Sequence, residues 1–188
     1  MSTLIFTIAQ NGYDVAYGRC LESHRAYADD LGATYVAVTE PKRQPDTAVS
    51  AWLKVPLLLD AIRSGYSRVA FIDADAEVKP GTPNFDSSFT AGRPLGMALG
   101  RSGRLNSGVI FARQSPETVS FLERVMSSML EEIPDEARAH LKYENGNVIY
   151  VDARLGGVER IDLIWNNTWD PGLDDHSRHY TEPLRATC

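Results

Sequence analysis

Residues 68–78 read RVAFIDADAEV: five residues without polar alternation run straight into Asp73-Ala-Asp75. An apolar run this short, rich in branched and aromatic side chains, reads as a strand buried on both faces, the pattern of a parallel sheet covered by helices. Two upstream segments share it. Residues 3–9 are almost unbroken apolar sequence, and residues 34–39 form a second expected strand. Between them Tyr17, Cys20, Leu21, His24, Tyr27, Ala28 and Leu31 recur at steps of three and four, one face of a helix that Gly32 is placed to end. Residues 40–47 carry Pro41 and Pro45 and read as a loop. Ser50 is then the expected N-cap of a second helix, with Trp52, Val55, Leu59 and Ile62 on its inner face and Gly65 its stop; Pro56 lies near its start or kinks it. Three strands separated by two helices predict βαβ units.

Beyond residue 78 the order loosens. Residues 79–94 are punctuated by proline and glycine, and short strands are expected at 95–99 and 107–112. Ser115-Pro116-Glu117 combines an N-cap, a proline at the first helical position and an acidic first turn. The helix it opens should turn Val119, Leu122, Val125, Met126, Met129 and Ile133 inward and stop at Pro134. A last strand near 158–163 leads into an aromatic and acidic tail. No repeat, low-complexity tract or linker interrupts residues 1–188, so a single α/β domain is expected.

Composition agrees with a soluble globular chain: 188 residues, 43% hydrophobic, 23% charged. A net charge of −6 argues against a surface built to hold nucleic acid. Cys20 and Cys188 make no disulfide framework, and Cys20 is expected as a buried thiol on the first helix. The amino terminus has neither the positive start nor the cleavage site of a signal peptide, and no apolar run approaches the roughly 20 residues that span a bilayer. A cytoplasmic location is the resulting expectation.

Chemistry concentrates at Asp73 and Asp75. In open α/β sheets, ligands bind beyond the carboxyl ends of the strands. Two carboxylates at i and i+2 on a tight exit turn can converge on a hard cation, and oxygen ligands suit Mg²⁺ or Mn²⁺ bridging to a substrate diphosphate. Aspartate is also a common turn residue, so capping of the turn is the plainer alternative. The buried strand before the pair and the parallel context favour the metal.

This stretch resembles the strand and Asp-x-Asp motif of GT-A fold glycosyltransferases, especially the glycogenin-like and galactosyl/mannosyl-transferase groups. Trp52-Leu-Lys54-Val-Pro56, with Leu58 and Leu59, is similar to the helix preceding that strand. Asn106-Ser107-Gly108-Val109 resembles the Asn-Ser-Gly segment, and His179-Tyr180-Thr181 the late histidine segment. The resemblance implies a Rossmann-like, mixed and mainly parallel sheet flanked by helices, with a nucleotide-binding half at about 1–100 and an acceptor-side half at about 101–188. It implies a nucleotide-sugar donor, UDP-sugar favoured, a retaining transfer, and Mn²⁺ or Mg²⁺. Asp75 would bind the metal, Asp73 the metal or the donor ribose, and His179 would complete the set, with His176 an open alternative. Ala9, Asn11 and Tyr13 would form the base pocket, by backbone amides, by the asparagine side chain and by stacking. Lys54 would reach the donor phosphates, and Asn106 and Ser107 would bond the donor sugar or the acceptor. Glu144, beside Asn145 where the groups usually have Asp-Gln, would serve the acceptor or the reaction centre. Trp165 and Trp169, near Asp170, Asp174 and Asp175, would form an acceptor platform or else core and rim. Arg185 would neutralise the leaving diphosphate, although Glu182 stands where glycine is usual. The acceptor is left open among glycan, protein, lipid and modified nucleobase, and an oligomer is possible.

Two other classes fit parts of the pattern. A phosphatase of the haloacid-dehalogenase type also places Asp-x-Asp after a strand, but its fifth position is Thr or Val where this chain has Glu77, and here two βα units come first. A non-catalytic nucleotide-sugar or glycan-binding module would lack metal ligands, all of which are present. Nucleotidyl transfer would call for a glycine-rich phosphate loop near the first strand, which is missing.

Overall fold

Leu4 and Phe6 face one way along their strand and Ile5 the other, and the same alternation separates Val69 and Phe71 from Ala70 and Ile72. Both faces are therefore hydrophobic, and each needs a cover. In the computed structural model, which describes residues 2–137, 143–181 and 184, helices supply it. The elements run β1 (Thr3–Ile8), α1 (Tyr13–Ala16), α2 (Gly18–Asp30), β2 (Thr34–Val38), α3 (Thr47–Arg63), β3 (Arg68–Ile72), β4 (Ala76–Val78), β5 (Leu95–Ala98), β6 (Val109–Arg113), α4 (Pro116–Ser128), α5 (Asn145–Leu155), β7 (Val158–Ile161) and β8 (Ser177–His179). Side chains of α3, α4 and α5, among them Leu58, Val125 and Val148, join Phe6 and Phe71 in one core. On the opposite face Tyr27 and Ala28 of α2 pack with Ile5, Phe111 and Trp165.

Six strands form one sheet in the order β2-β1-β3-β6-β5-β7. β1 lies parallel to β2 and β3, and β5 parallel to β7, while β6 runs antiparallel to β3 and β5. The sheet is thus mixed and mainly parallel, as expected. β4 and β8 form a separate antiparallel ladder that pairs Ala76 with His179 and Val78 with Ser177. Among the described residues no helix is long and apolar enough to cross a membrane.

The structure corrects several local expectations. α3 begins before Ser50: Asp46 is the N-cap, accepting the Ala48 N–H at 2.9 Å, and Ser50 instead donates to the Gln10 side chain at 2.7 Å. Pro56 lies inside this helix, so the Trp52 carbonyl has no amide four residues on to accept. α4 ends at Ser128 and does not run on to Ile133. Its inner stripe is Phe121, Leu122 and Val125, which leaves Met126 on the flank, 40% exposed, and Met129 past the helix end, 52% exposed. α5 and the β4–β8 pair were not foreseen. Cys20 is buried, as expected.

Candidate active site

β3 delivers Asp73 and Asp75 to the carboxyl edge of the sheet. The Asp73 N–H donates to the Gly108 carbonyl at 2.7 Å and its carbonyl accepts from Ala76 at 3.0 Å, so the chain turns tightly between the two acids. The turn leads into β4, whose pairing with β8 sets His179 opposite Ala76. The imidazole Nε2 lies 3.1 Å from Asp75 Oδ1 and 3.7 Å from Asp73 Oδ2. One ligand atom from each of these residues can be chosen so that all lie within 4.8 Å of one another. Such closeness requires Gly108: a Cβ there would sit 2.4 Å from His179 Cε1. His176, the other histidine considered, points elsewhere, its ring edge-on to Trp165 at 4.7 Å.

Behind the triad stands a buried cation. Lys54 of α3, 4% exposed, places Nζ 3.2 Å from Asp73 Oδ1, 3.1 Å from Glu144 Oε1 and 3.2 Å from the Ser107 carbonyl, above the Phe71 ring. Glu144 also accepts the Ser107 hydroxyl at 2.6 Å. Asn145 closes the group, accepting the Ser107 N–H at 3.0 Å and donating to the Leu105 carbonyl at 3.0 Å. Burial lowers the Lys54 ammonium's affinity for its proton, but Asp73 and Glu144 outweigh that and hold its pKa above the ordinary value.

The groups of the triad shift one another's proton affinity. Burial raises the Asp73 carboxyl, and the pull of Lys54 and His179 only partly offsets it. At Asp75 burial also acts upward, but the hydrogen bond and charge of His179 prevail and lower it. At His179 burial acts downward, and the bond to Asp75 and the charges of both aspartates prevail and raise it. Three carboxylates against one ammonium leave an excess of negative charge, and two carboxylates with an imidazole form a donor set that fits a divalent cation such as Mn²⁺.

The triad opens onto a cavity of about 630 Å³, whose wall includes Asn11, Tyr13, Arg101, Asn106, Tyr143 and Thr168. Ala9 is fully buried and takes part in the sheet through its N–H to Val38. Asn11 adopts a positive φ of 57°, and its side-chain oxygen accepts the Gln44 N–H at 2.7 Å, so that oxygen is committed to the 40–47 loop. Tyr13 is half exposed at the wall, its ring 5.1 Å from that of Tyr17. Trp165 is a core residue set edge-on to Phe111, and Asp175 is buried against Arg178 and Asn167, so neither belongs to an acceptor platform. Glu77, the departure from the phosphatase pattern, binds Arg19, Lys79 and the Tyr180 hydroxyl and so steadies β4 beside β8. Arg185 and Glu182 lie outside the described residues.

No protein-family model matches the chain, and no curated protein matches it in sequence. Solved structures do resemble it. The glycosyltransferase involved in glycosylation of the major capsid of PBCV-1 superposes with a TM-score of 0.76 at 15% identity, covering 100% of this chain and 96% of its own. Galactosyltransferase LgtC, in complex with donor and acceptor sugar analogs, gives 0.62 at 12% identity over 96% of this chain and 87% of its own. Mouse xyloside xylosyltransferase 1 gives 0.52 at 14% identity, over 95% and 96%. The chain has a GT-A glycosyltransferase fold. Within the GT-A fold the expected residues Lys54, Asp73, Asp75, Asn106, Ser107, Glu144 and His179 meet at one place. Sequence reasoning missed the role of Asn166, which holds His179, and of Gln10, which links Ser50 to the Glu40 carbonyl. Asn166 directly follows Trp165 in the sequence, and no local pattern marks its role or that of Gln10.

Proposed function

We propose that this chain is a metal-dependent glycosyltransferase that moves a sugar from a nucleotide-sugar donor to an acceptor hydroxyl. The observation that carries the proposal is the triad of Asp73, Asp75 and His179 at the carboxyl edge of a GT-A sheet, open to a cavity. Two of the structural neighbours name galactosyl and xylosyl transfer, which supports a sugar donor. In the transfer the anomeric carbon–oxygen bond breaks, its electron pair goes to the diphosphate, and the acceptor oxygen bonds to the anomeric carbon and passes its proton to the departing phosphate oxygen. A divalent cation bound by the triad would supply Lewis-acid stabilisation of the charge on the leaving diphosphate.

The protein's own groups do the rest by position. Lys54 fixes Asp73 and Glu144 together; Ser107 holds Glu144, and Asn145 holds Ser107 in turn. Inversion needs a general base across the ring from the leaving group. Among the described residues, Glu144 is the acid of the cavity wall outside the triad, and its Oε1 is already taken up by Lys54 and Ser107. This favours retention by same-face attack. Mn²⁺ is favoured over Mg²⁺ because imidazole belongs to the set, and a UDP-sugar is the favoured donor from the motif resemblance.

The test is a donor screen with Mn²⁺ and UDP-, GDP- and dTDP-sugars, following release of the nucleoside diphosphate with calorimetry of nucleotide binding alongside. Release from one donor that is lost in EDTA and in Asp75→Ala is the expected result. No release together with no metal-dependent nucleotide binding would sink the proposal. Binding without release, even with acceptors supplied, would indicate a non-catalytic nucleotide-sugar module.

A further inference from the structure

Asn166 is fully buried, ends the short 3₁₀ turn at Leu163–Trp165 and does not line the cavity, so it is no candidate for touching donor or acceptor. Its side chain nevertheless lies between two residues that do. Hydrogen-bond logic along this line can be read from one end. The Gly108 N–H, a group that can only donate, points at the side-chain oxygen of Asn106 at 2.9 Å. That contact fixes which end of the Asn106 amide is oxygen. The same oxygen lies 2.9 Å from the Asn166 side chain, which must therefore present its NH₂. The other end of Asn166 is its oxygen, 3.1 Å from His179 Nδ1. A carbonyl oxygen only accepts, so Nδ1 carries hydrogen. Nε2, the atom facing Asp75 and Asp73, is then the ring nitrogen that can give up its hydrogen and offer a lone pair to a cation held between them.

We propose that Asn166 is a positioning residue that, through the line Gly108–Asn106–Asn166, holds His179 in the Nδ1–H form and so presents Nε2 as a ligand to the cation. This rests on the metal reading of the triad. It also gives Asn106 a second task besides facing the cavity: orienting Asn166 from a backbone amide that cannot rotate. A histidine donating its far N–H to an oxygen acceptor is oriented and made a better donor to metal, and losing such a partner typically costs about 10–100-fold in affinity.

Two measurements test it. In the first, Mn²⁺ affinity is measured by calorimetry for the wild-type protein, Asn166→Asp and Asn166→Leu. The aspartate keeps an oxygen for Nδ1–H but turns its other oxygen toward that of Asn106, so it should bind Mn²⁺ more tightly than the leucine, which should bind about 10–100-fold more weakly than the wild type. Equal affinity in all three, or an aspartate variant as weak as the leucine, would overturn the proposal. The second needs no change at Asn166 and is read on the wild-type protein. Two-bond ¹H–¹⁵N correlation spectra of the wild-type protein loaded with a diamagnetic divalent cation, Zn²⁺, report which ring nitrogen of His179 carries hydrogen, with its signals identified by their loss in His179→Gln. The Nδ1–H form is expected, and a dominant Nε2–H form overturns the inference alone. A wild-type protein that binds no Mn²⁺ overturns the metal reading and the inference with it.

Discussion

At Gly108 a single hydrogen in place of a side chain decides whether the histidine can reach the aspartates. A methyl group at this position would lie 2.4 Å from His179 Cε1 and 2.7 Å from Nδ1, and His179 is only 5% exposed. Gly108→Ala is therefore expected to push the imidazole off the triad. Mn²⁺ affinity should fall at least about tenfold by calorimetry, and the overpacking should cost about 1–3 kcal/mol in urea unfolding. Unchanged affinity would show that His179 is not a ligand. The Asn-Ser-Gly motif was legible in the sequence, but the reason for its glycine was not, because the atom it must avoid belongs to β8. The same holds for Lys54. Its place in a recognisable helix could be read, while its burial between Asp73 and Glu144 depends on three elements meeting.

Among the elements, α3, β3 and α5 are joined by that buried lysine. Removing one partner of a buried ion pair leaves uncompensated charge and commonly costs about 3–5 kcal/mol. Lys54→Met should destabilise the protein by roughly that amount in urea unfolding. Lys54→Met combined with Glu144→Gln should recover a large part of the loss; a loss as large as in the single variant would place the effect elsewhere. Local pattern sufficed for β1, α2, β2 and β3, because apolar runs and a three-and-four periodicity are properties of short segments. It failed for α5 for a physical reason. The residues at its start, Glu144 and Asn145, turn their side chains to Ser107 and Leu105 and leave no side-chain cap on the helix. A start spent on the site carries no start signal. β4 and β8, three residues each, are too short to show alternation and exist through their pairing.

Across the whole molecule, stability should carry the mark of His24. This residue of α2 is fully buried beneath the second ladder, its Nε2 2.6 Å from the Ala76 carbonyl, and burial lowers its pKa from 6.5 to about 4. Between those values the unfolded chain takes up a proton that the folded protein refuses. The contribution is thus complete above about pH 6.5 and is lost as pH falls towards 4, amounting to on the order of 3 kcal/mol. Urea midpoints measured from pH 7 down to pH 4.5 should drop less steeply in His24→Gln, whose amide can still donate to Ala76. Identical slopes would remove His24 from the account. The fold class, the acidic pair and the late histidine were all readable before the structure; what joins them was not, since Asp75 and His179 lie 104 positions apart in the chain.

That separation has a consequence for the order in which the protein is made. Synthesis completes the nucleotide-side strands and both aspartates early, yet β4 has no partner until β8 emerges. Until then Asp73 and Asp75 have no imidazole to share a cation with, and a growing or clipped chain lacking β8 would hold the wall of the pocket without its grip on the ion. The enzyme we propose would gain its third ligand only once β8 has been made and has paired with β4.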